Sequence, residues 1–366
     1  MEEKRGHARA EVMQVLEPSP ERVTPRCPHY TKCGGCHYQH LSYAGQLAAK
    51  AHILAEQLQR IGGLKELPLQ PVVPSPQPWN YRNHVQFHLT RAGKLGFQQA
   101  GSERVVAVNE CHLPEPALNH IWPQIDLEAL PGVERIGLRL GAEDEVQMVL
   151  ESSDPQPVEL SVEELPVSVV HLGPGGSLVL AGSESLVMEV LGQPFQVSAG
   201  SFFQVNTPQA EAMVRTVQQA VGAEPIHTLL DVYCGVGLFS AFLAENVQHL
   251  VGIELSPSAC QDFAVNLDAY DHVELYEAEA EAVLEAVDFH PQVILVDPPR
   301  AGLGQRTLDG LLRQNASRLI YVSCDPATLG RDARRLVAGG YHLQQVTPFD
   351  LFPQTYHIES ISVWER

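Results

Sequence analysis

Hydrophobic and polar residues follow different patterns in the two halves of the chain. From about residue 206, apolar runs such as "LLDVYC", "LVGIEL", "VILVDPP" and "LIYVSC" alternate with segments of helical periodicity, including 208–221, 257–270 and 327–338. Buried strands separated by helices are typical of a doubly wound parallel sheet. Residues 70–195 instead contain short alternating runs broken by Pro and Gly, such as "HVQFHLT" and "EVQMVLE". These runs predict an antiparallel β-rich domain.

The first 61 residues add two further elements. Alternation at 8–16 predicts one strand, and a Pro/Ser turn follows it. Residues 41–61 predict a helix that starts near Ser42 and stops at Gly62-Gly63. Its apolar stripe consists of Leu47, Ala51, Leu54, Leu58 and Ile61.

Composition and charge narrow the class of protein. The chain has 366 residues, of which 44% are hydrophobic and 19% charged, as in ordinary globular proteins. No apolar segment is long enough to span a bilayer and the N-terminus lacks a secretory h-region, so we expect a cytoplasmic protein without a membrane partner. The net charge of −20 argues against nucleic acid, but residues 1–100 contain 12 Lys and Arg against 7 Asp and Glu. This asymmetry allows a basic binding face on an acidic protein.

Acidic residues follow three consecutive strands of the predicted parallel sheet. Asp231 precedes a glycine turn with Gly235 and Gly237, Glu254 ends the next strand, and Asp297 ends a later one. The carboxyl ends of such strands form the ligand-binding edge, and an acid there accepts hydrogen bonds from ribose hydroxyls. The set predicts a site for S-adenosylmethionine (SAM), although a lone G-x-G is weak by itself.

A cysteine at the end of the next strand indicates unusual chemistry. Cys324 follows "LIYVS", while "DPPR" at 297–300 lacks the aromatic residue with which many base-amino methyltransferases stack on their target. Carbon 5 of a pyrimidine becomes nucleophilic once a thiolate adds to carbon 6. A base must later remove the carbon-5 proton. Glu359 in "FPQTYHIESISVW" is the candidate, with His357 on the same strand face as a competing base or orienting partner.

These motifs together resemble the RNA uracil-5-methyltransferase family. The resemblance rests on "GSFFQVN", "DVYCGVG", "DPPRAG", "YVSCDPATLGRD" and "LFPQTYHIES", in that order. It implies that Cys324 is the nucleophile, Glu359 the base, and Gln204, Tyr233, Glu254 and Asp297 the SAM contacts. Asp325 replaces an Asn that is frequent in the family, and Leu238 replaces an Asn found in some members. The fold class that follows is α/β, with a Rossmann-like SAM-dependent methyltransferase domain at 198–366.

A cysteine cluster lies in the basic N-terminal part. Cys27, Cys33 and Cys36 have C-x5-C-x2-C spacing, and Cys111 supplies a fourth thiol. Four thiolates suit either a tetrahedral zinc ion or an iron–sulfur cluster. The same motif occurs in uracil-methyltransferases that bind a 4Fe–4S cluster, so the resemblance implies that cofactor. We read Cys234 and Cys260 as core residues.

The resemblance also implies the domain plan and the partner. Residues 1–24 correspond to a remnant of a β-barrel RNA-binding (TRAM-like) module, and 25–197 to a β-rich central domain with the cysteines, whose helix at 41–61 would pack on the catalytic domain. The partner is RNA, with 23S rRNA first and uridine 54 of tRNA as the alternative; no obligate protein partner is inferred. RNA cytosine-5 methylation and a catalytically silent iron–sulfur RNA-binding protein are the other readings. Mixed aromatic and cationic residues suit the binding of splayed bases. They are Tyr30, His37, Tyr38, His40, Tyr81, Arg82, His84 and Phe87.

Overall fold

A computed structural model describes residues 2–4, 7–9, 12–90, 92–125, 130, 132–154, 156 and 166–366. Its first elements are a short hairpin and a long helix. Strands β1 (Glu2–Lys4) and β2 (His7–Arg9) pair antiparallel, and helix α1 spans Tyr43–Arg60. Within the described residues, no helix combines the length and hydrophobicity that crossing a bilayer requires.

The predicted strand at 8–16 is wrong over much of its length. Residues 10 and 11 lie outside the described residues, and 12–15 have no regular secondary structure. Val12 and Met13 are 79% and 89% exposed, so the alternation here has no sheet face to cover. An alternating pattern forms a strand only where a neighbouring strand and an apolar layer are available. The assignment of 1–24 to a TRAM-like remnant stays a prediction.

Helix α1 starts where the sequence predicts and buries a different face. The Ser42 hydroxyl accepts a hydrogen bond from the Gly45 N–H at 3.0 Å, which caps the helix. The buried residues are Gln46, Lys50, Leu54 and Leu58. The buried face is therefore polar in the first half of the helix and apolar in the second.

The central part of the chain forms a seven-stranded sheet with a short flanking helix, α2 (Pro116–Ile121). Its strands are β3 (His84–Leu89), β4 (Leu95–Gln98), β5 (Val105–Ala107), β6 (Val133–Leu140), β7 (Val146–Ser152), β8 (Val167–Gly173) and β9 (Gly176–Ala181). The spatial order is β5-β4-β3-β6-β7-β8-β9, and all neighbours are antiparallel except β7 and β8. The β-rich prediction is confirmed, but β5 and β8 were missed.

A second hairpin follows, made of β10 (Ser185–Val190) and β11 (Gln193–Ser198). Its buried side chains, among them Met188 and Phe195, belong to the same core as the helices of the C-terminal half. The hairpin lies before residue 198, so this core extends into the part of the sequence that we assigned to the central domain.

The C-terminal half is a doubly wound α/β unit, as predicted. Its helices are α3 (Thr207–Val221), α4 (Leu238–Leu243), α5 (Pro257–Asn266), α6 (Ala280–Ala286), α7 (Gln305–Gln314) and α8 (Pro326–Ala338). Its strands are β12 (Ile226–Val232), β13 (Val247–Glu254), β14 (Val273–Glu277), β15 (Val293–Val296), β16 (Arg318–Ser323), β17 (His342–Phe349) and β18 (Glu359–Glu365).

The strand order of this second sheet is β14-β13-β12-β15-β16-β18-β17. Strands β12 to β16 are parallel, and β18 inserts antiparallel between β16 and β17. Apolar side chains of α3, α4 and α5 cover one face, and those of α6, α7 and α8 cover the other. Leu54 and Leu58 of α1 join this second layer, so a helix from the N-terminal third completes the C-terminal unit.

Candidate active site

The candidate active site lies at the carboxyl edge of the second sheet. Strands β12, β13, β15 and β16 are parallel and in register, so their last residues lie along one edge. The residues at or just beyond these ends are Tyr233, Glu254, Asp297 and Cys324. Open α/β sheets bind their ligands at this edge. The structure therefore brings four of the predicted site residues together.

Cys324 directly follows β16, and Glu359 is the first residue of the neighbouring strand β18. Ser323, the last residue of β16, pairs with Ser360 of β18. Extending this antiparallel register by one residue places Cys324 opposite Glu359, where side chains share a face of the sheet. Glu359 is 6% exposed, while Cys324 is only partly buried. A substrate at this edge can thus reach the thiol, with the carboxyl group beside it.

Burial and neighbouring acids raise the pKa of both groups in the free protein. Burial raises the pKa of Cys324 to about 12, Glu359 and Asp297 add to the rise, and Arg300 opposes it. The pKa of Glu359 is also well above its usual range, because the group is buried and lies near Asp297; Arg300 and Lys50 lower it. Both shifts follow from desolvation and like charge. Positive charge brought to this edge would favour the thiolate and the carboxylate.

His357 does not share a strand face with Glu359. Strand β18 begins at Glu359, so His357 lies in the preceding loop, and the prediction of a common strand face is wrong. The loop is fixed here by ring contacts of His357 with Phe352 and Tyr356 and by the Arg300 guanidinium, 3.3 Å from Nδ1. Burial, with Arg300 next, lowers the pKa of His357 to about 4. A neutral imidazole of such low basicity is a poorer proton acceptor than the carboxylate of Glu359.

Asp231 and Asp297 are neighbouring acids on adjacent strands: Asp231 lies within β12, and Asp297 directly follows β15. Asp231 is 1% exposed; its Oδ2 accepts a hydrogen bond from the Ser240 hydroxyl at 2.6 Å, and its Oδ1 has no partner among the described residues. Burial raises the pKa of Asp231 to about 7, as does Glu254 to a smaller extent. Burial and Asp231 raise the pKa of Asp297 to about 7. Asp231 orders the start of α4, whereas Asp297 remains at the open edge.

The glycine turn adopts backbone conformations that most residues avoid. Tyr233, Gly235 and Gly237 have φ values of 65°, 55° and 88°. A Cβ at Gly237 would lie 2.4 Å from a Leu267 methyl group, so only glycine fits there. A Cβ at Gly235 would meet nothing within 4 Å, which leaves open space above the turn. The turn thus brings bare backbone to the ligand-binding edge.

Glu254 holds the glycine turn and the start of α5 in place. Its Oε2 accepts a hydrogen bond from the Gly235 N–H at 3.0 Å, and its Oε1 accepts from the N–H groups of Leu255 and Ser256 at 2.8 and 2.7 Å. A carboxylate has about four acceptor positions, so capacity for a ribose hydroxyl remains. The turn, this acid and the space over Gly235 fit the adenosyl part of SAM.

Gln204, a predicted SAM contact, and Leu238, which replaces an Asn of some family members, are both nearly buried. Gln204 is 8% exposed, and its carbonyl oxygen accepts a hydrogen bond from Asn83 at 3.0 Å. Leu238 is 7% exposed and belongs to the core. The Leu238 side chain packs in the core and is not directed to a cofactor, in agreement with the replacement of Asn by an apolar residue.

Asp325 caps α8 instead of acting on Cys324. Its Oδ1 accepts hydrogen bonds from the Ala327 and Thr328 N–H groups at 3.0 and 2.8 Å. An N-terminal carboxylate also interacts favourably with the helix dipole. An Asn side chain could accept the same hydrogen bonds, so the two residue types are interchangeable in this role.

The four N-terminal cysteines lie around one cavity. Cys27, Cys33, Cys36 and Cys111 line a space of about 150 Å³, and the segment is fixed to β4 by the Gly34 N–H, which donates to the Gln98 carbonyl at 2.9 Å. Burial raises the pKa of Cys36 to about 12 and that of Cys111 to about 11. Within the described part of the chain, no group of three or more His, Cys, Asp or Glu side chains is arranged to hold a single metal ion. Cys234 and Cys260 are buried elsewhere, as expected for core residues.

Some of the aromatic residues proposed for base binding are buried in the core. Phe87 is 0% exposed and packs on Phe97 and Trp122. Tyr81 is 3% exposed and donates its hydroxyl to the Pro353 carbonyl at 3.1 Å. Neither can stack on an RNA base, because both side chains are buried. The sequence pattern did not distinguish inward from outward positions in and just before β3.

The sequence reading missed two polar residues that face the site from α1. Lys50 is 0% exposed and Gln46 is 1% exposed; both contact the loop that precedes Glu359. Their i, i+4 spacing with Leu54 and Leu58 is the signal that could have revealed them. The apolar stripe predicted that Leu47 and Ala51 lie on the buried face instead.

The sheet order, the glycine turn and the acids define a SAM-dependent methyltransferase of the α/β class. The model of the tRNA (uracil-5-)-methyltransferase family matches residues 182–366, and the chain belongs to this family. It is an RNA (uracil-C5)-methyltransferase that uses SAM.

Similar proteins extend the likeness over the whole chain. A protein of Aquifex aeolicus described as an uncharacterized RNA methyltransferase is 36% identical over 100% of this chain and 89% of its own length. One of Thermosynechococcus vestitus with the same description is 35% identical over 98% and 88%. The crystal structure of the Pyrococcus abyssi tRNA (uracil-54, C5)-methyltransferase with S-adenosyl-L-homocysteine is 25% identical, with a TM-score of 0.72 over 96% of this chain and 88% of that one.

Proposed function

We propose that the protein methylates carbon 5 of a uridine in RNA through a covalent bond between Cys324 and carbon 6 of the base. The observation that supports this most is the register that sets Cys324 opposite Glu359 at the cofactor edge. A nucleophile and a base are both needed, and they must reach adjacent atoms of one ring.

The reaction balances with the groups at this edge. The Cys324 thiol gives its proton to solvent and the thiolate adds to carbon 6, which moves the electron pair of the 5,6 double bond to carbon 5. Carbon 5 would then bond to the methyl carbon while the methyl–sulfur bond breaks, its electron pair staying on sulfur, and S-adenosylhomocysteine would be the leaving group. Glu359 removes the carbon-5 proton, the double bond re-forms, and the thiolate leaves carbon 6. When bound, SAM supplies the methyl group and a sulfonium charge.

Electrostatics gives the chain's own charged residues distinct parts in these steps. Arg300 lowers the pKa of both Cys324 and Glu359, and Asp297 raises both. A cation between these acids would oppose the part of the shifts that comes from like charge, while the part from burial remains. We therefore propose that filling the cofactor site increases the thiolate fraction of Cys324.

We further propose that Cys27, Cys33, Cys36 and Cys111 hold a 4Fe–4S cluster. A zinc ion requires four sulfurs at about 2.3 Å from one centre, whereas these thiols surround a cavity. A multi-iron cluster bound by four thiolates suits that arrangement better. Methyl transfer needs no electron transfer, so the cluster would order its loop and contribute to RNA recognition.

For the RNA, we propose 23S rRNA, the substrate that the family resemblance implies first. Uridine 54 of tRNA is the second candidate, and the structural likeness to the P. abyssi tRNA enzyme favours it. Unmodified transcripts of both RNAs, incubated with protein and labelled SAM, distinguish the two. Mapping of 5-methyluridine then identifies the position.

The mechanism is tested with the Cys324→Ala variant. We expect it to lose methyl transfer by at least about 10³-fold, because without the thiolate carbon 5 is not nucleophilic. Cys260→Ala is the control, since this buried thiol lies on α5. Methylation by Cys324→Ala at the parent rate would rule out the covalent mechanism.

A further inference from the structure

The loop of residues 350–358 joins β17 to β18 and ends at Glu359. The pairing of Glu359 with Phe349 holds the start of β18, and the loop fixes the direction from which the chain enters it, so both affect where the Glu359 carboxyl group lies. Most of the contacts that fix this loop come from outside the α/β unit. Three successive carbonyls, of Leu351, Phe352 and Pro353, accept hydrogen bonds from Asn206, Lys50 and Tyr81, respectively.

Gln354 is the most constrained residue of the loop. Its φ of 69° is unusual for a residue with a side chain, and it is 2% exposed. Gln46 of α1 contacts it twice: Gln46 Nε2 donates to the Gln354 side-chain oxygen at 3.0 Å, and Gln46 Oε1 accepts from the Gln354 N–H at 3.0 Å. Such a strained conformation persists only where its surroundings over-determine it.

The segment that follows the cysteines contacts the same residue. The N–H groups of His37 and Tyr38 donate to the Gln354 carbonyl at 2.8 and 2.9 Å. The ring of His37 also lies 4.3 Å from that of Tyr356, next to His357. The cysteine loop and the loop before Glu359 are therefore joined through Gln354.

One turn further along α1, Lys50 anchors the start of the loop. Its Nζ lies 2.6 Å from Asp350 Oδ1 and donates to the Phe352 carbonyl at 3.0 Å. Both side chains of this ion pair are almost fully buried. Since Leu54 and Leu58 fix the same helix in the core of the α/β unit, α1 cannot slide without moving these contacts.

We propose that Gln46 is a positioning residue for Glu359: by bonding Gln354 on two sides, it holds the loop so that the carboxyl group reaches the carbon-5 proton. This rests on the proposed function, in which Glu359 releases the RNA by removing that proton. Addition of Cys324 and methyl transfer do not depend on Glu359 being in place. Loss of Gln46 should therefore affect the last step alone.

The test uses Gln46→Met, which keeps the volume and removes the hydrogen bonds, with Gln59→Met on the exposed part of α1 as the matched control. With uridine-containing RNA we expect turnover to fall by about tenfold or more and a covalent protein–RNA adduct to accumulate on denaturing gels. With 5-fluorouridine RNA, whose carbon 5 has no proton to remove, adduct formation should stay within about twofold of the parent.

A second variant separates positioning of Glu359 from general destabilisation of the protein. Gln354→Gly retains the backbone bonds to His37 and Tyr38, accepts the positive φ, and should also accumulate adduct. Its effect should be smaller than that of Gln46→Met and should not add fully to it, because the side-chain bond lost in Gln354→Gly is one of the two bonds lost in Gln46→Met. Equal turnover in Gln46→Met and the parent, or a parallel loss of 5-fluorouridine trapping and turnover, would overturn the proposal. Failure of the parent to trap 5-fluorouridine RNA would instead overturn the proposed covalent mechanism.

Discussion

The two cysteine-containing regions of this protein are built in opposite ways. Cys324 directly follows the last residue of β16, a strand that pairs with neighbours on both sides. Cys27, Cys33 and Cys36 lie outside the helices and strands, and Cys33 forms an isolated β-bridge with Gln99. Both regions contain thiols of raised pKa, and burial is the first cause in each.

This difference shows how the chain separates reactivity from ligand binding. A nucleophile must face its base at a fixed distance, which strand register provides without help from a ligand. Thiols outside helices and strands can adjust to a bound group. Binding of the group then stabilises the conformation of the segment. Variants of the two regions distinguish a sheet edge that is ordered without a bound group from a cysteine loop that needs one.

The largest effect is expected for Glu359→Gln. The amide cannot accept the carbon-5 proton, so turnover should fall by about 10³-fold while methylated covalent adduct accumulates. Single-turnover methyl transfer and gel analysis of the adduct measure the two effects. Turnover at the parent rate would assign the base to another group, with His357 the first to examine.

Activity should depend steeply on pH, because the pKa of the Cys324 thiol is raised. With a pKa of about 12, the thiolate fraction of Cys324 rises about tenfold per pH unit below that value. We expect kcat/KM to rise from pH 7 to pH 9, in parallel with alkylation of Cys324 by iodoacetamide. A flat profile would contradict this view of the free site.

Removal of one cluster thiol should have a smaller effect on chemistry. In Cys111→Ser we expect loss of bound iron and a melting temperature lower by several degrees, because the cavity loses one ligand and the loop its support. Methyl transfer should be reduced by far less than in Glu359→Gln. Iron and sulfide analysis of anaerobically purified protein gives the direct measurement, with Cys260→Ala as control. Unchanged iron content would remove Cys111 from the ligand set.

The smallest effect is expected for Asp325→Asn. Asn caps helices about as well as Asp, so stability should change by less than about 1 kcal/mol, the usual value of a terminal charge–dipole interaction. Activity should stay within about twofold. A large gain in the rate of Cys324 alkylation would show that Asp325 suppresses the thiolate, contrary to its observed capping role.

Much of the α/β unit could be predicted because its elements are locally encoded. The apolar runs and helical periodicities located β12, β13, β15 and β16, and the residues after them became site candidates through the common carboxyl edge. The strands of the central sheet were harder to predict from the sequence. Strand β5 has only three residues, and β8 pairs parallel within an otherwise antiparallel sheet.

The sequence by itself determined the chemistry available: a thiol, acids and a glycine turn at the ends of apolar strands, with four further thiols near the N-terminus. The tertiary structure alone decided which groups meet. β18 pairs out of chain order, which sets Glu359 opposite Cys324, and α1 brings Gln46 and Lys50 to a loop some 300 residues away. Periodicity reports which face of an element is buried, but it does not name the partner across the interface, because that choice is made by packing between distant segments.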